Sequence, residues 1–154
     1  MPSTHSERLA ELGIELPAVA APVAAYVPAL RDGDLVHTSG QLPFVDGELP
    51  AAGHVGAEVE PGKAKELARV AALNALAAVD SVASLDDIVQ VVKVVGFVSS
   101  APGFHGQPGV INGASELLGE VLGEAGVHAR SAVGVAELPL NAPVEVEITV
   151  RVRP

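Results

Sequence analysis

The stretch Val144-Glu145-Val146-Glu147-Ile148-Thr149-Val150-Arg151-Val152-Arg153 alternates without a fault. Side chains of a strand alternate faces with period two. Val144, Val146, Ile148, Val150 and Val152 therefore point one way, and Glu145, Glu147, Thr149, Arg151 and Arg153 the other. Upstream, Ala129 to Leu138 reads as a second strand and Pro139 to Pro143 as a turn, so the two strands are expected to form a hairpin.

Working back from this pair, two long helices stand out. Pro61 suits a first helical turn, and Leu67, Ala71, Ala75, Ala78 and Val82 follow at helical spacing. The stripe is mostly Ala, which permits close approach to a sheet. A second helix is expected over about Val110 to Ala125, with Ile111, Ala114, Leu118, Val121 and Leu122 on one face and Gly126 as its stop. Between the helices, Ile88 to Val98 is too β-branched for a surface helix and reads as a central strand. A Gly/Pro loop from Ala101 to Gly109 follows it.

The N-terminal part is less regular. Thr4 with Glu7 has a capping-box pattern, and Gly13 is a natural stop, so a short helix opens the chain. Pro17 to Pro28 reads as an extended arm that is an edge or a coil. Leu35 to Ser39 is a short strand, and Asp46-Gly47 is expected to turn it into another through Leu49. The order is strands, helix, strand, helix, hairpin: an α+β domain with its helices on one sheet face. Residues 1–154 fit one domain, with 1–21 as an N-terminal helical and extended extension.

Composition narrows the function. The chain is 49% hydrophobic, with three Phe, one Tyr and no Trp, so the core is built of Val, Ala and Leu. Such a core gains from extra burial by association. Hydrophobicity this high with only 18% charged residues excludes a disordered chain. A net charge of −10 argues against a nucleic-acid binder, whose footprint is a basic face. No Cys is present, which excludes disulfides, thiolate nucleophiles and Cys-based metal sites and fits a cytoplasmic protein. No stretch reads as a signal peptide or a membrane span. The phosphate-loop, dinucleotide and nucleophile-elbow motifs are missing. The five His are scattered without metal-ligand spacing, so no metal site is expected.

Four residues survive this filter: Tyr26, Ser39, Arg130 and Glu145. Tyr26 serves most simply as an amphipathic anchor, Ser39 as a strand-end turn residue and Glu145 as a solvent-face residue. Arg130 is harder to set aside. It stands amid Ala129, Ser131, Ala132 and Val133 in a chain with nine basic residues, and a lone guanidinium there calls for an anion.

Three motifs, in order, carry a resemblance. His128-Ala129-Arg130-Ser131-Ala132-Val133, with Glu137-Leu138-Pro139 and Val144-Glu145-Val146-Glu147, resembles the C-terminal signature of the RidA (YjgF-like) family of reactive-intermediate deaminases. Thr38-Ser39-Gly40-Gln41-Leu42-Pro43 resembles its N-terminal signature, and Leu85-Asp86-Asp87-Ile88-Val89 the segment between its first helix and next strand. The match runs from about Pro22 to Val152. The longer N-terminus and the Gly103–Gly109 loop make the chain look like a longer, divergent branch.

The resemblance implies a chorismate-mutase-like fold, assembled as a homotrimer with pockets between subunits. On that basis the valine faces of three sheets are expected to meet at the trimer centre, with the Ala-striped helices outside. It also implies cofactor-free hydrolysis of 2-imino or enamine acids, such as 2-iminopropionate or 2-aminoacrylate, to 2-oxo acids and ammonia. The family's carboxylate-binding arginine falls on Arg130, and its water-handling acid on Glu145. Its pocket residues fall on Tyr26, Ser39, Gly40 and, after a loop that is longer here, Asn112. A cysteine that many members carry two residues after the arginine is Ala132 here. Glu147 faces the same way as Glu145 and competes for the acidic role. The alternatives are a non-catalytic trimer that binds a small carboxylate metabolite and, ranked below it, an endoribonuclease.

Overall fold

The computed structural model describes residues 3–19 and 25–154. Helix α1 (His5–Glu11) starts at Thr4, whose side-chain oxygen accepts a hydrogen bond from the Glu7 amide at 3.2 Å. Its Leu9 joins the main core. Residues 20–24 of the expected arm lie outside the described residues. The chain then enters β1 (Ala29–Asp32), a strand that the sequence pattern does not mark. Gly33, at φ 62°, turns it back into β2 (Leu35–Thr38). The partner of β2 in this hairpin is thus upstream. The Asp46-Gly47 turn closes only the small Val45–Glu48 bridge.

Helix α2 (Pro61–Asp80) carries the Ala stripe. Ala64, Ala68, Ala71, Ala72, Ala75 and Ala78 are all fully buried. Val82 lies past the helix end and is exposed. Strand β3 (Ile88–Ser99) follows, then α3 (Gln107–Leu122), which begins three residues before the expected start. Gly123, not Gly126, ends the α-helix, at φ 60°, and a 3-10 turn runs on to Gly126. The two helices approach backbone to backbone: a Cβ at Gly113 of α3 would stand 2.0 Å from the Lys65 carbonyl oxygen of α2. Small residues on both helices let them pack this closely.

The final pair departs from the hairpin expectation. Strands β4 (Ala129–Val135) and β5 (Val144–Val152) are not neighbours; the sheet order is β1-β2-β5-β3-β4. Strand β4 runs parallel to β3 as an edge, while β5 is antiparallel to both β2 and β3. The reason lies in the link. Leu140 and Asn141, both at φ 58° between Pro139 and Pro143, carry the chain across the end of β3 instead of turning it back on β4. A strand with one perfectly apolar face is also stabilised most at the sheet centre, flanked on both sides.

The alternating strand keeps its expected faces. Val144, Val146, Ile148, Val150 and Val152 are buried at 0–2% exposure, in one core with the apolar residues of α2 and α3. This corrects the expectation that valine faces meet at a trimer centre, because the chain's own helices cover that face. The uncovered face carries Glu145, Glu147 and Thr149, with Phe97 and Val95 of β3 beside them in register.

Candidate active site

One group of expected residues gathers on the uncovered face. Gln41 pairs with Val146 of β5 through two backbone hydrogen bonds, Gln41 N to Val146 O at 2.8 Å and the return at 3.0 Å. This lays Gly40 against Glu145: a Cβ there would sit 2.7 Å from both Cδ and Oε2 of Glu145. Gly40 is therefore the gap through which the carboxylate reaches the backbone. The Ser39 hydroxyl donates to Val27 O at 2.6 Å, and its amide donates to Pro28 O at 2.8 Å. Those bonds tie the Tyr26–Pro28 segment to the end of β2. Tyr26 stands directly before Val27, with 46% of its surface exposed. Tyr26, Ser39, Gly40 and Glu145 thus form one neighbourhood.

Its electrostatics favour proton handling. Burial, and then the Glu147 carboxylate two residues along the same face, push the Glu145 carboxyl above its ordinary value. A partly desolvated acid with a raised pKa is suited to general acid–base work.

The other group lies on the opposite face. Arg130 pairs in parallel register with Val94, and Ala132 with Gly96, which places both on the helix-covered side of edge strand β4. Arg130 Nη1 donates to Ser115 Oγ at 3.1 Å, and Nη2 to Pro108 O at 3.2 Å. Pro108, Asn112 and Ser115 stand at i, i+4 and i+7 of α3 and share one helix face. Asn112 thus belongs to the Arg130 neighbourhood. Among the described residues Arg130 has no carboxylate within ion-pair distance, whereas Arg8, Arg69 and Arg153 each have one. The anion that the sequence reading asks for is not supplied by the described residues of this chain.

Arg130 and Glu145 therefore do not share a cleft within one chain. Two cavities, about 530 and 950 Å³, are lined instead by residues around α1, the Glu15–Val19 segment, the Phe44–Gly47 loop and α2. None of the six expected site residues lines either one. No cluster of three His, Cys, Asp or Glu suited to a metal occurs among the described residues. No helix among them is long and apolar enough to cross a membrane.

Sequence reading missed two further residues. Ser115 and His128 link to Arg130, with Ser115 Oγ 2.9 Å from His128 Nε2. The signal was available, since His128 stands two residues before Arg130 and so on the same side of the extended chain. It was masked because all five histidines were weighed as metal ligands.

Comparison with known proteins points the same way as the motifs. Residues 6–151 match the family described as "YjgF/chorismate mutase-like, putative endoribonuclease". The fold is similar to that of protein Atu1372 from Agrobacterium tumefaciens (44% identity, TM-score 0.89, covering 97% of this chain and 92% of that one). It is also similar to a "putative endoribonuclease" from Shewanella oneidensis (33%, TM-score 0.94, 97% and 100%). A more distant neighbour is TdcF from E. coli, whose structure contains bound serine (27%, TM-score 0.66, 89% and 94%). With its five-stranded mixed sheet, its two long helices on one face and a match over nearly its whole length, this chain belongs to the YjgF/chorismate mutase-like family.

Proposed function

We propose that this protein is a cofactor-free deaminase of reactive 2-imino and enamine acids, acting as a cytoplasmic homotrimer whose pockets lie between subunits. Residues 1–154 act as one domain in this reading. The observation that carries it is the division of the site. An unneutralised guanidinium lies on one face of the sheet and a half-buried carboxyl with a raised pKa on the other. Two such halves complete each other only when the Arg130 edge of one copy meets the Glu145 face of the next.

In the joined site, Arg130 holds the substrate carboxylate by charge-assisted hydrogen bonds, each contributing about 1.5–3 kcal/mol. This fixes C2 of the iminium against a water. Glu145 takes a proton from that water as its oxygen bonds to C2. The carbinolamine then receives that proton on nitrogen; as the C–N bond breaks and the C=O forms, Glu145 takes the hydroxyl proton and passes it to the departing ammonia, so that the 2-oxo acid and ammonium leave. Such proton transfer contributes about 10²–10⁴-fold. Tyr26, Ser39, Gly40 and Asn112 line the pocket. The bound serine of TdcF supports this substrate class, because serine also carries a carboxylate and a nitrogen on one carbon.

The test generates 2-iminopropionate with an amino-acid oxidase and follows its decay. The wild type accelerates decay and Arg130→Ala does not; equal rates for the two refute the reading. A binding-only trimer would show Arg130-dependent affinity for 2-oxo acids with a flat imine assay. The endoribonuclease names of relatives motivate one more control: RNA cleavage that Glu145→Gln abolishes would favour that activity. The net charge of −10 opposes it.

A further inference from the structure

Arg130 heads a one-way chain of hydrogen bonds. A guanidinium only donates, and Nη1 gives one N–H to Ser115 Oγ at 3.1 Å. The Ser115 hydroxyl proton is then free for His128 Nε2, 2.9 Å away. At the far end His128 Nδ1 lies 2.6 Å from Gly126 O, and a carbonyl only accepts. The two ends fix the direction: Arg130 donates to Ser115, Ser115 to His128, and His128 to the Gly126 carbonyl. The neutral imidazole with its proton on Nδ1 satisfies every link.

All partners of Arg130 in this arrangement are neutral: a hydroxyl and the Pro108 carbonyl. Arg8, Arg69 and Arg153 rest on carboxylates instead, whereas Arg31, like Arg130, donates to neutral acceptors. A neutral cradle holds the guanidinium plane without consuming its charge. Two of its five N–H groups are engaged, which leaves Nε–H and one N–H on each terminal nitrogen for a bidentate carboxylate. Hydrogen bonds linked in series within a part-buried site also polarise one another.

We infer that Ser115 and His128 are positioning residues that aim the Arg130 fork at a carboxylate borne on the reacting carbon, and so select 2-imino and 2-oxo acids over other imines. This inference rests on the reading of Arg130 as the carboxylate-binding group. Ser115 acts directly on the guanidinium, and His128 acts through Ser115 by fixing where its proton points.

The experiment measures calorimetric affinity for pyruvate, and the KM and kcat for 2-iminopropionate, on the full chain. Ser115→Ala should weaken pyruvate binding about tenfold and raise KM similarly, with kcat within about twofold. Ser115→Thr, which keeps the hydroxyl, should restore both. His128→Phe should match Ser115→Ala, and the double variant should be no worse than either single one, because both break the same chain. His128→Gln offers an amide oxygen near the Nε2 position and should retain affinity within about threefold. Arg130-dependent binding that Ser115→Ala and His128→Phe leave unchanged overturns this inference alone. Additive losses in the double variant, or losses that Ser115→Thr does not rescue, also overturn it. Wild-type protein without any Arg130-dependent binding overturns the reading of Arg130 and this inference with it.

Discussion

Replacing Gly40 by Ala separates catalytic geometry from stability. The new Cβ would stand 2.7 Å from Cδ and Oε2 of Glu145 and 3.0 Å from its Cγ. Ordinary carbon contacts are about 3.5–4.0 Å, so the carboxylate must retreat by roughly 1 Å. What moves is the flexible end of a side chain on an uncovered face, with no backbone or core residue among the nearest atoms. The stability loss should fall at or below the lower end of the usual overpacking range, about 1 kcal/mol. For a chain of this length that lowers Tm by about 2–4 °C. The catalytic loss should be far larger, since a 1 Å misplacement of a reacting group costs on the order of 10²-fold. Imine-decay kinetics and thermal denaturation on the same preparation give both numbers. Gly40→Ala with wild-type kcat/KM would refute the placement of Glu145 at the reacting centre. A collapse of Tm by much more than a few degrees would refute the claim that only the carboxylate gives way.

Three more outcomes follow from particular contacts. Burial and Glu147 raise the Glu145 pKa in the folded chain, so the native state holds this proton longer than the unfolded one. Stability should therefore fall as pH rises from the unfolded value through the folded one, and Glu145→Gln should flatten that part of a Tm-against-pH curve. His54 is raised too, first by its bond to Ala136 O at 2.9 Å, then by Glu58 and Glu137. Its contribution is full below the unfolded value and lost as pH rises through the folded one, a dependence that His54→Gln should remove from the same curve. Gly113→Ala places a Cβ 2.0 Å from the Lys65 carbonyl oxygen, a backbone atom that cannot step aside. It should destabilise by about 1–3 kcal/mol, read from urea midpoints, because α2 and α3 must separate.

Much of the fold was legible because its signals are local. The perfect alternation of β5, the Ala stripe of α2 and the Val run of β3 each follow from side-chain period and size. Pairing was not legible in the same way. The Pro139–Pro143 turn reads as a hairpin, but β4 ends at Val135, and the eight-residue link to Val144, with its left-handed Leu140 and Asn141, carries β5 to the far side of β3. Nor does alternation say what covers the apolar face, which is why the valine face was assigned to a trimer centre that the helices in fact exclude. Strand β1 was hidden by the prolines before it, although Gly33 supplies a tight turn.

The site shows the same division. Glu145 beside Gly40, and Ser39 beside the Tyr26 segment, follow strand ends that the motifs already mark. The separation of Arg130 from Glu145 depends on which face each strand turns to the helices, and that is settled by register with β3. His128 was overlooked because its value lies in one hydrogen bond to Ser115 on another element, which no spacing rule within a strand records.

The division of the site between copies is the central claim, and mixing two inactive variants tests it most directly. Arg130→Ala and Glu145→Ala are unfolded together, refolded as a one-to-one mixture and assayed for 2-iminopropionate decay. In a trimer assembled at random, about one quarter of the pockets then draw an intact Arg130 from one copy and an intact Glu145 from its neighbour. Recovery of about that fraction of wild-type activity, from parents that have none alone, is the predicted result. A mixture as inactive as its parents, with both variants still trimeric, would contradict the account, because every pocket would then take both residues from one chain.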